Sequence, residues 1–189
     1  MTCLAPIRKF WNLGARVRIV IDTNVLVQIM QNDQATDLRD PETGEIVDRL
    51  FERAAALVDH VDAIGGLVVL PAPVLSEYLF GIDKKAFQAH LDVINSVKSI
   101  EIAAFDQIAA IECALLVSDA EQRAIDPNAT KAKLRVDRQI LAIAVAAGVS
   151  EIWTHDIGLT KKASSMGISV KSLADIGPPP MQQAFEPKM

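Results

Sequence analysis

Apolar runs rich in β-branched residues alternate with stretches of helical periodicity along this chain, and that alternation constrains its fold most. The first run, Val17-Arg18-Ile19-Val20-Ile21, stops on Asp22-Thr23-Asn24 and gives way at once to a helical pattern over residues 25–31. Further strands are predicted over residues 67–70, 99–103, 151–154 and 168–170. Between them, Ile46, Leu50, Phe51, Ala54, Leu57, Val58 and Val61 recur at helical spacing, predicting a helix over 45–64 that Gly65-Gly66 stops. More helices are predicted from Pro73, over 84–95, 105–117 and 159–166, and over 136–147, the last apolar almost all round. Strands alternating with helices imply a parallel sheet with helices on both faces. Continuous rather than alternating apolar strands agree, because both strand faces are then covered. The expected class is α/β: a three-layer α/β/α sandwich with a mostly parallel sheet of about five strands.

The chain of 189 residues fits one domain, expected over residues 17–175, with an N-terminal arm over 1–16 and a proline-rich, flexible tail over 176–189. Its apolar stretches, such as residues 140–149, stop short of a membrane span, and no signal-peptide h-region follows Arg8 and Lys9. A cytoplasmic location and no membrane partner are the expectation. Cys3 and Cys113 give no disulfide framework, and His60, His90 and His155 lack the spacing of a zinc site. A net charge of −5 argues against a broad nucleic-acid-coating surface, although a local basic strip can still hold phosphates.

In an open parallel sheet, ligands gather beyond the carboxyl ends of the strands. Asp22 closes the first predicted strand, and Asp156 stands just past Thr154 at the end of the fourth. Glu77 lies one turn into the helix after the second strand, and Asp137 is read as opening the apolar helix before the fourth, near its positive end. Each acid alone has a plainer role: Asp22 and Asp156 as helix N-caps, Asp137 as a first-turn acid. Glu77 is harder to dismiss, since an unpaired buried carboxylate is costly. Together on one edge, the four would repel unless a cation sat among them. Oxygen donors without Cys or His suit Mg²⁺ or Mn²⁺, which can activate water against a phosphodiester. Lys131, Lys133, Arg135 and Arg138 flank Asp137 and could hold an RNA backbone, or simply form a solvated helix start. Lys84-Lys85 and Lys161-Lys162 read as surface charge, Trp153 as core, and His155 as an exposed loop residue.

Four blocks carry a resemblance: Val17-Arg18-Ile19-Val20-Ile21-Asp22-Thr23-Asn24-Val25-Leu26, Pro71-Ala72-Pro73-Val74-Leu75-Ser76-Glu77-Tyr78, Asp137-Arg138-Gln139-Ile140-Leu141-Ala142-Ile143-Ala144 and Ile152-Trp153-Thr154-His155-Asp156. In this order they resemble PIN-domain ribonucleases, and among them the VapC-type toxins of type II toxin–antitoxin systems. The resemblance implies metal-dependent cleavage of RNA, with Asp22, Glu77, Asp137 and Asp156 as the acidic, metal-holding and catalytic site. It implies that Thr23 or Thr154 bonds a carboxylate or water, and that Asn24 braces the loop holding Asp22. It also implies an antitoxin partner and a homodimer.

Four rival readings are separable on residues. A haloacid-dehalogenase-type phosphatase needs a second acid where this chain has Asn24, and a receiver domain needs an Asp where the third strand runs Ile102-Ala103-Ala104. A non-cutting PIN-fold module for RNA or protein would be marked by loss of an acid. A DNA-directed, structure-specific nuclease would call for a helical arch or a basic clamp.

Overall fold

The computed structural model describes residues 16–30, 37–116, 124 and 126–179. Most of the predicted arm (1–16) and tail (176–189), and parts of the polar segments 31–44 and 118–133, lie outside them. Five strands form one sheet: β1 (Arg18–Ile21), β2 (Leu67–Pro71), β3 (Ile100–Ala103), β4 (Glu151–Trp153) and β5 (Ser169–Lys171), in the order β3-β2-β1-β4-β5. Every pairing is parallel, with Ile19 opposite Val68 on one side of β1 and Val20 opposite Ile152 on the other. The chain steps outward from β1 to β3, then crosses back to lay β4 against the free edge of β1. The strand order therefore reverses between β1 and β4, the position where open α/β sheets form a crevice. Ile19, Val20 and Ile21 are buried in succession, which requires cover on both faces of the central strand.

The helices that surround the sheet are α1 (Thr23–Met30), α2 (Leu50–Ala63), α3 (Ala72–Phe80), α4 (Phe87–Ser96), α5 (Gln107–Leu115), α6 (Lys131–Ala146) and α7 (Ile157–Ser165), with α5 packed on α6. Leu26, Leu57, Leu70, Leu141 and Ile152 are among the fully buried side chains that lock sheet to helices. Truncating one of these to Ala would cost about 2–5 kcal/mol.

Two predicted helices have different starts. Residues 45–49 are not helical: Ile46 bridges Arg39, and Arg49 takes a left-handed conformation (φ 51°) before α2 begins. The turn responsible is local, with the Asp40 carboxylate accepting the Glu42 and Thr43 N–H groups and Gly44 at φ 74°. At the other helix, the Thr130 hydroxyl accepts the Lys133 N–H and starts α6 at Lys131. Asp137 therefore lies nearly two turns inside α6, beyond reach of the helix's positive end, and its charge needs another partner. The first residues of the predicted tail are tied down: Arg53 donates to the Ile176 carbonyl at 2.6 Å, and Arg49 to that of Pro179 at 3.2 Å.

Candidate functional site

β1 delivers Asp22 to the strand-order reversal. Its N–H donates to the Trp153 carbonyl (3.0 Å), continuing the β1–β4 pairing one residue beyond the strand. Its side chain, 7% exposed, is held by uncharged donors alone: the Thr154 hydroxyl (2.8 Å) and the Asn24 amide (3.0 Å) both donate to Oδ2. Asn24 in turn accepts the His155 N–H, fastening the β1 loop to the β4 loop. Burial pushes the Asp22 carboxyl up to about 6; the Thr23 N–H and the Thr154 hydroxyl pull it back, while the charges of Asp156 and Glu77 push with burial. Glu77 is exposed at the groove mouth, where Thr23 Oγ1 donates to it at 2.6 Å. Glu77 is thus neither buried nor unpaired, contrary to the expectation from sequence.

Asp137 is buried to the same depth, at 6% exposure, but its partner is charged. Lys162 Nζ donates to Asp137 Oδ2 at 2.6 Å and lies 3.5 Å from Asp126 Oδ2. Lys162 is only 1% exposed, so the reading of Lys161-Lys162 as surface charge fails at its second residue. The signal was available: Lys162 stands three residues after Leu159 and next to Ala163, both buried, and so lies on the inward stripe of α7. Burial pushes the Asp137 carboxyl up, and Lys162 pulls against that shift.

Asp156 sits between these two situations. Its Oδ1 accepts the Leu159 N–H as the N-cap of α7, and its Oδ2 accepts from Lys133 Nζ at 2.7 Å. Burial would raise its pKa, but Lys133 and the α7 N-terminal N–H groups outweigh burial and hold it below the usual carboxylate value. Lys133 also lies 3.9 Å from Asp126. Asp126, which the sequence reading did not single out, therefore touches both lysines. Its approach depends on Gly158, where a Cβ would run into the Asp126 carboxylate. Of the other basic residues, Arg138 donates to the Cys113 and Leu116 carbonyls. Lys131 and Arg135 instead line a separate cleft of about 750 Å³ beside α5. His155 is buried rather than exposed, its Nδ1 2.9 Å from the Arg39 carbonyl and its Nε2 accepting the Leu173 N–H; Trp153 is buried in β4.

Asp22, Glu77, Asp137 and Asp156 line one groove of about 620 Å³, with Thr23, Asn24 and Lys133. Among the described residues, no three acids already stand close enough to hold one metal ion. Two ammonium groups balance part of the charge for which the sequence reading required a cation. The Asp22 end still suits one: its donors are all oxygen, and among the described residues no Lys or Arg pairs with Asp22 or Glu77. Burial and like charge already disfavour the ionised form of Asp22. Such a site fits a hard divalent cation.

No family model matches the chain, and no curated protein matches it in sequence. Solved structures match it in fold. A chain of the VapBC2 complex of Rickettsia felis, bound to a DNA fragment from its promoter, superposes with a TM-score of 0.52 at 14% identity, over 82% of this chain and 98% of that one. A chain of DNA-bound VapBC from Salmonella typhimurium gives 0.52 at 15% identity, over 83% and 98%. The fold is PIN-like. At these identities the fold is what is shared, and the PIN-like core spans nearly the whole of each neighbouring chain. Among the described residues, no helix is long and apolar enough to cross a membrane.

Proposed function

We propose that this PIN-like chain is a Mg²⁺- or Mn²⁺-dependent endoribonuclease and the toxin of a toxin–antitoxin pair. The observation that carries the reading is the placement of Asp22, Glu77, Asp137 and Asp156 around one groove at the strand-order reversal. The groove is open, as a polymer substrate requires, and no Ser or Cys is among the described residues that line it.

Asp22 and Glu77, which carry no lysine, are the first ligands for a metal, with Asp156 and Asp137 completing the acidic wall. A bound Mg²⁺ or Mn²⁺ would lower the pKa of the attacking water and offset charge on the phosphoryl oxygens. The protein's own part is orientation. Thr154 and Asn24 fix the Asp22 carboxylate, and Thr23 fixes that of Glu77. Lys133, 40% exposed at the rim, can leave Asp156 for a phosphate oxygen, and Lys131 and Arg135 continue the positive charge along the α6 surface.

An antitoxin partner is supported by the neighbours' being VapBC complexes. A homodimer and a cytoplasmic location belong to the same reading. The test is cleavage of mixed cellular RNA by partner-free wild type and by Asp22→Asn, each with and without Mn²⁺. Cutting that needs both metal and Asp22 is the expected result; intact RNA with folded wild type and Mn²⁺ would sink it. One observation favours a second reading, a PIN-fold module that grips RNA or protein without cutting. Lysines already occupy Asp137 and Asp156. Retention of labelled RNA without cleavage would select it.

A further inference from the structure

The charges at the groove are arranged in sequence rather than as one acidic cluster. Asp137 meets Lys162 at 2.6 Å, Lys162 meets Asp126 at 3.5 Å, Asp126 lies 3.9 Å from Lys133, and Lys133 meets Asp156 at 2.7 Å. Positive and negative groups alternate along this row, and Asp22 and Glu77 stand outside it. The two lysines differ in freedom: Lys133 is 40% exposed, whereas Lys162 is sealed at 1%. A buried ammonium persists only where acids surround it, and its partner cannot be withdrawn without leaving that ammonium uncompensated. Lys162 is also held from behind, because Gly158 leaves room for Asp126 and α7 fixes the backbone of both Gly158 and Lys162. Asp137 Oδ2 is thus bound to a fixed cation that cannot diffuse away.

We propose that Lys162 is a built-in counter-charge standing where a second metal ion would otherwise be needed. Asp137 is thereby taken out of the ligand set, and the groove binds one divalent cation, at Asp22 and Glu77 with Asp156. Charge supports a single ion: two carboxylates without any ammonium match one divalent cation. Lys162 is on this view a positioning residue, acting through Asp137 and touching neither metal nor RNA. The inference rests on the metal-dependent reading above.

Mn²⁺ titration of the full chain, followed by calorimetry and by the electron paramagnetic resonance of free Mn²⁺, tests it without any cleavage assay. Wild type should bind one ion per chain. Asp137→Asn should bind one ion with affinity changed by less than about tenfold, and Asp22→Asn should weaken binding by about tenfold or more. Lys162→Gln, which releases Asp137 and Asp126, should take up a second ion. Two ions in wild type, loss of affinity by about tenfold or more in Asp137→Asn, retained affinity in Asp22→Asn, or a single ion in folded Lys162→Gln would each overturn the inference. Should Asp137→Asn or Lys162→Gln fail to fold, Asp137→Asn/Lys162→Met, which removes both charges of the buried pair, takes the place of Asp137→Asn in the comparison with Asp22→Asn and decides alone. Wild type that binds no Mn²⁺ overturns the metal reading, and this inference with it; one ion lost on Asp137→Asn overturns the inference only.

Discussion

Asp22 and Asp137 line one groove and are buried to nearly the same depth, at 7% and 6% exposure, yet their surroundings are opposite in kind. Asp137 faces an ammonium at 2.6 Å; Asp22 faces uncharged donors, the Thr154 hydroxyl, the Asn24 amide and the Thr23 N–H, with the charges of Asp156 and Glu77 adding to the strain of burial. Uncharged donors orient a carboxylate without neutralising it, so Asp22 keeps its appetite for a cation. A fixed lysine neutralises and immobilises at once. The difference sets two kinds of carboxylate within one acidic groove: Asp137 is neutralised by a fixed cation, and Asp22 is oriented without being neutralised.

The largest effect expected on that contrast is on activity. Asp22→Asn keeps both neutral hydrogen bonds available and removes the charge, so cleavage should fall by about 100-fold or more, roughly 2.7 kcal/mol of barrier, with an unchanged circular dichroism spectrum. Cleavage by Asp22→Asn at the wild-type rate would erase the contrast. The opposite side should answer in stability. Lys162→Met strands the buried Asp137 and should lower unfolding stability by about 3–5 kcal/mol in urea titration. Adding Asp137→Leu should recover much of that loss, because both members of the buried pair are then gone. Lys162→Met as stable as wild type would mean that the pair does not hold the fold.

The Asp22 side was legible because its residues sit at strand ends, where an apolar run breaking on a polar residue marks the sheet edge. The same logic located Asp156 and Thr154. The strand-helix alternation likewise yielded the five-stranded α/β architecture, and here every pairing is parallel. The Lys162 side was not legible for three physical reasons. Lys161-Lys162 has the look of a solvated helix face, and only its register with Leu159 and Ala163 points inward. The polar first turns of α6 hide a helix start that only the Thr130 cap reveals, which misplaced Asp137 along its helix. Asp126 depends on the missing side chain of Gly158, a contact between segments far apart in sequence.

Acidity should sharpen the comparison next. The Asp22 carboxyl rises from 3.8 to about 6 on folding, so between those values the folded chain binds more protons than the unfolded one. Asp22 thus supports the metal-free fold below about pH 4, and that support is lost as pH rises through 6. Asp22→Asn lacks this titration. Its stability relative to wild type should climb across the window and reach at most about 3 kcal/mol above it. Mn²⁺ should narrow the gap by stabilising wild type alone. A flat difference between pH 4 and 7 in metal-free buffer would mean that Asp22 is not held uncompensated.

The smallest effect should come from Thr154, which is fully buried and joins Asp22 to Asp156. Its hydroxyl donates to Asp22 Oδ2 at 2.8 Å and accepts the Asp156 N–H at 2.9 Å. Thr154→Val keeps the shape and deletes both bonds, leaving the half-buried Asp156 N–H without that acceptor, and should cost about 1–3 kcal/mol. Thr154→Ser retains the hydroxyl and should lose less, chiefly through the missing methyl group. Because Thr154 opposes the upward push on the Asp22 carboxyl, Thr154→Val should also move the pH window of the preceding comparison upward. Thr154→Ser should leave that window in place. Equal shifts in the two variants would show that packing, not the hydroxyl, sets how Asp22 is held.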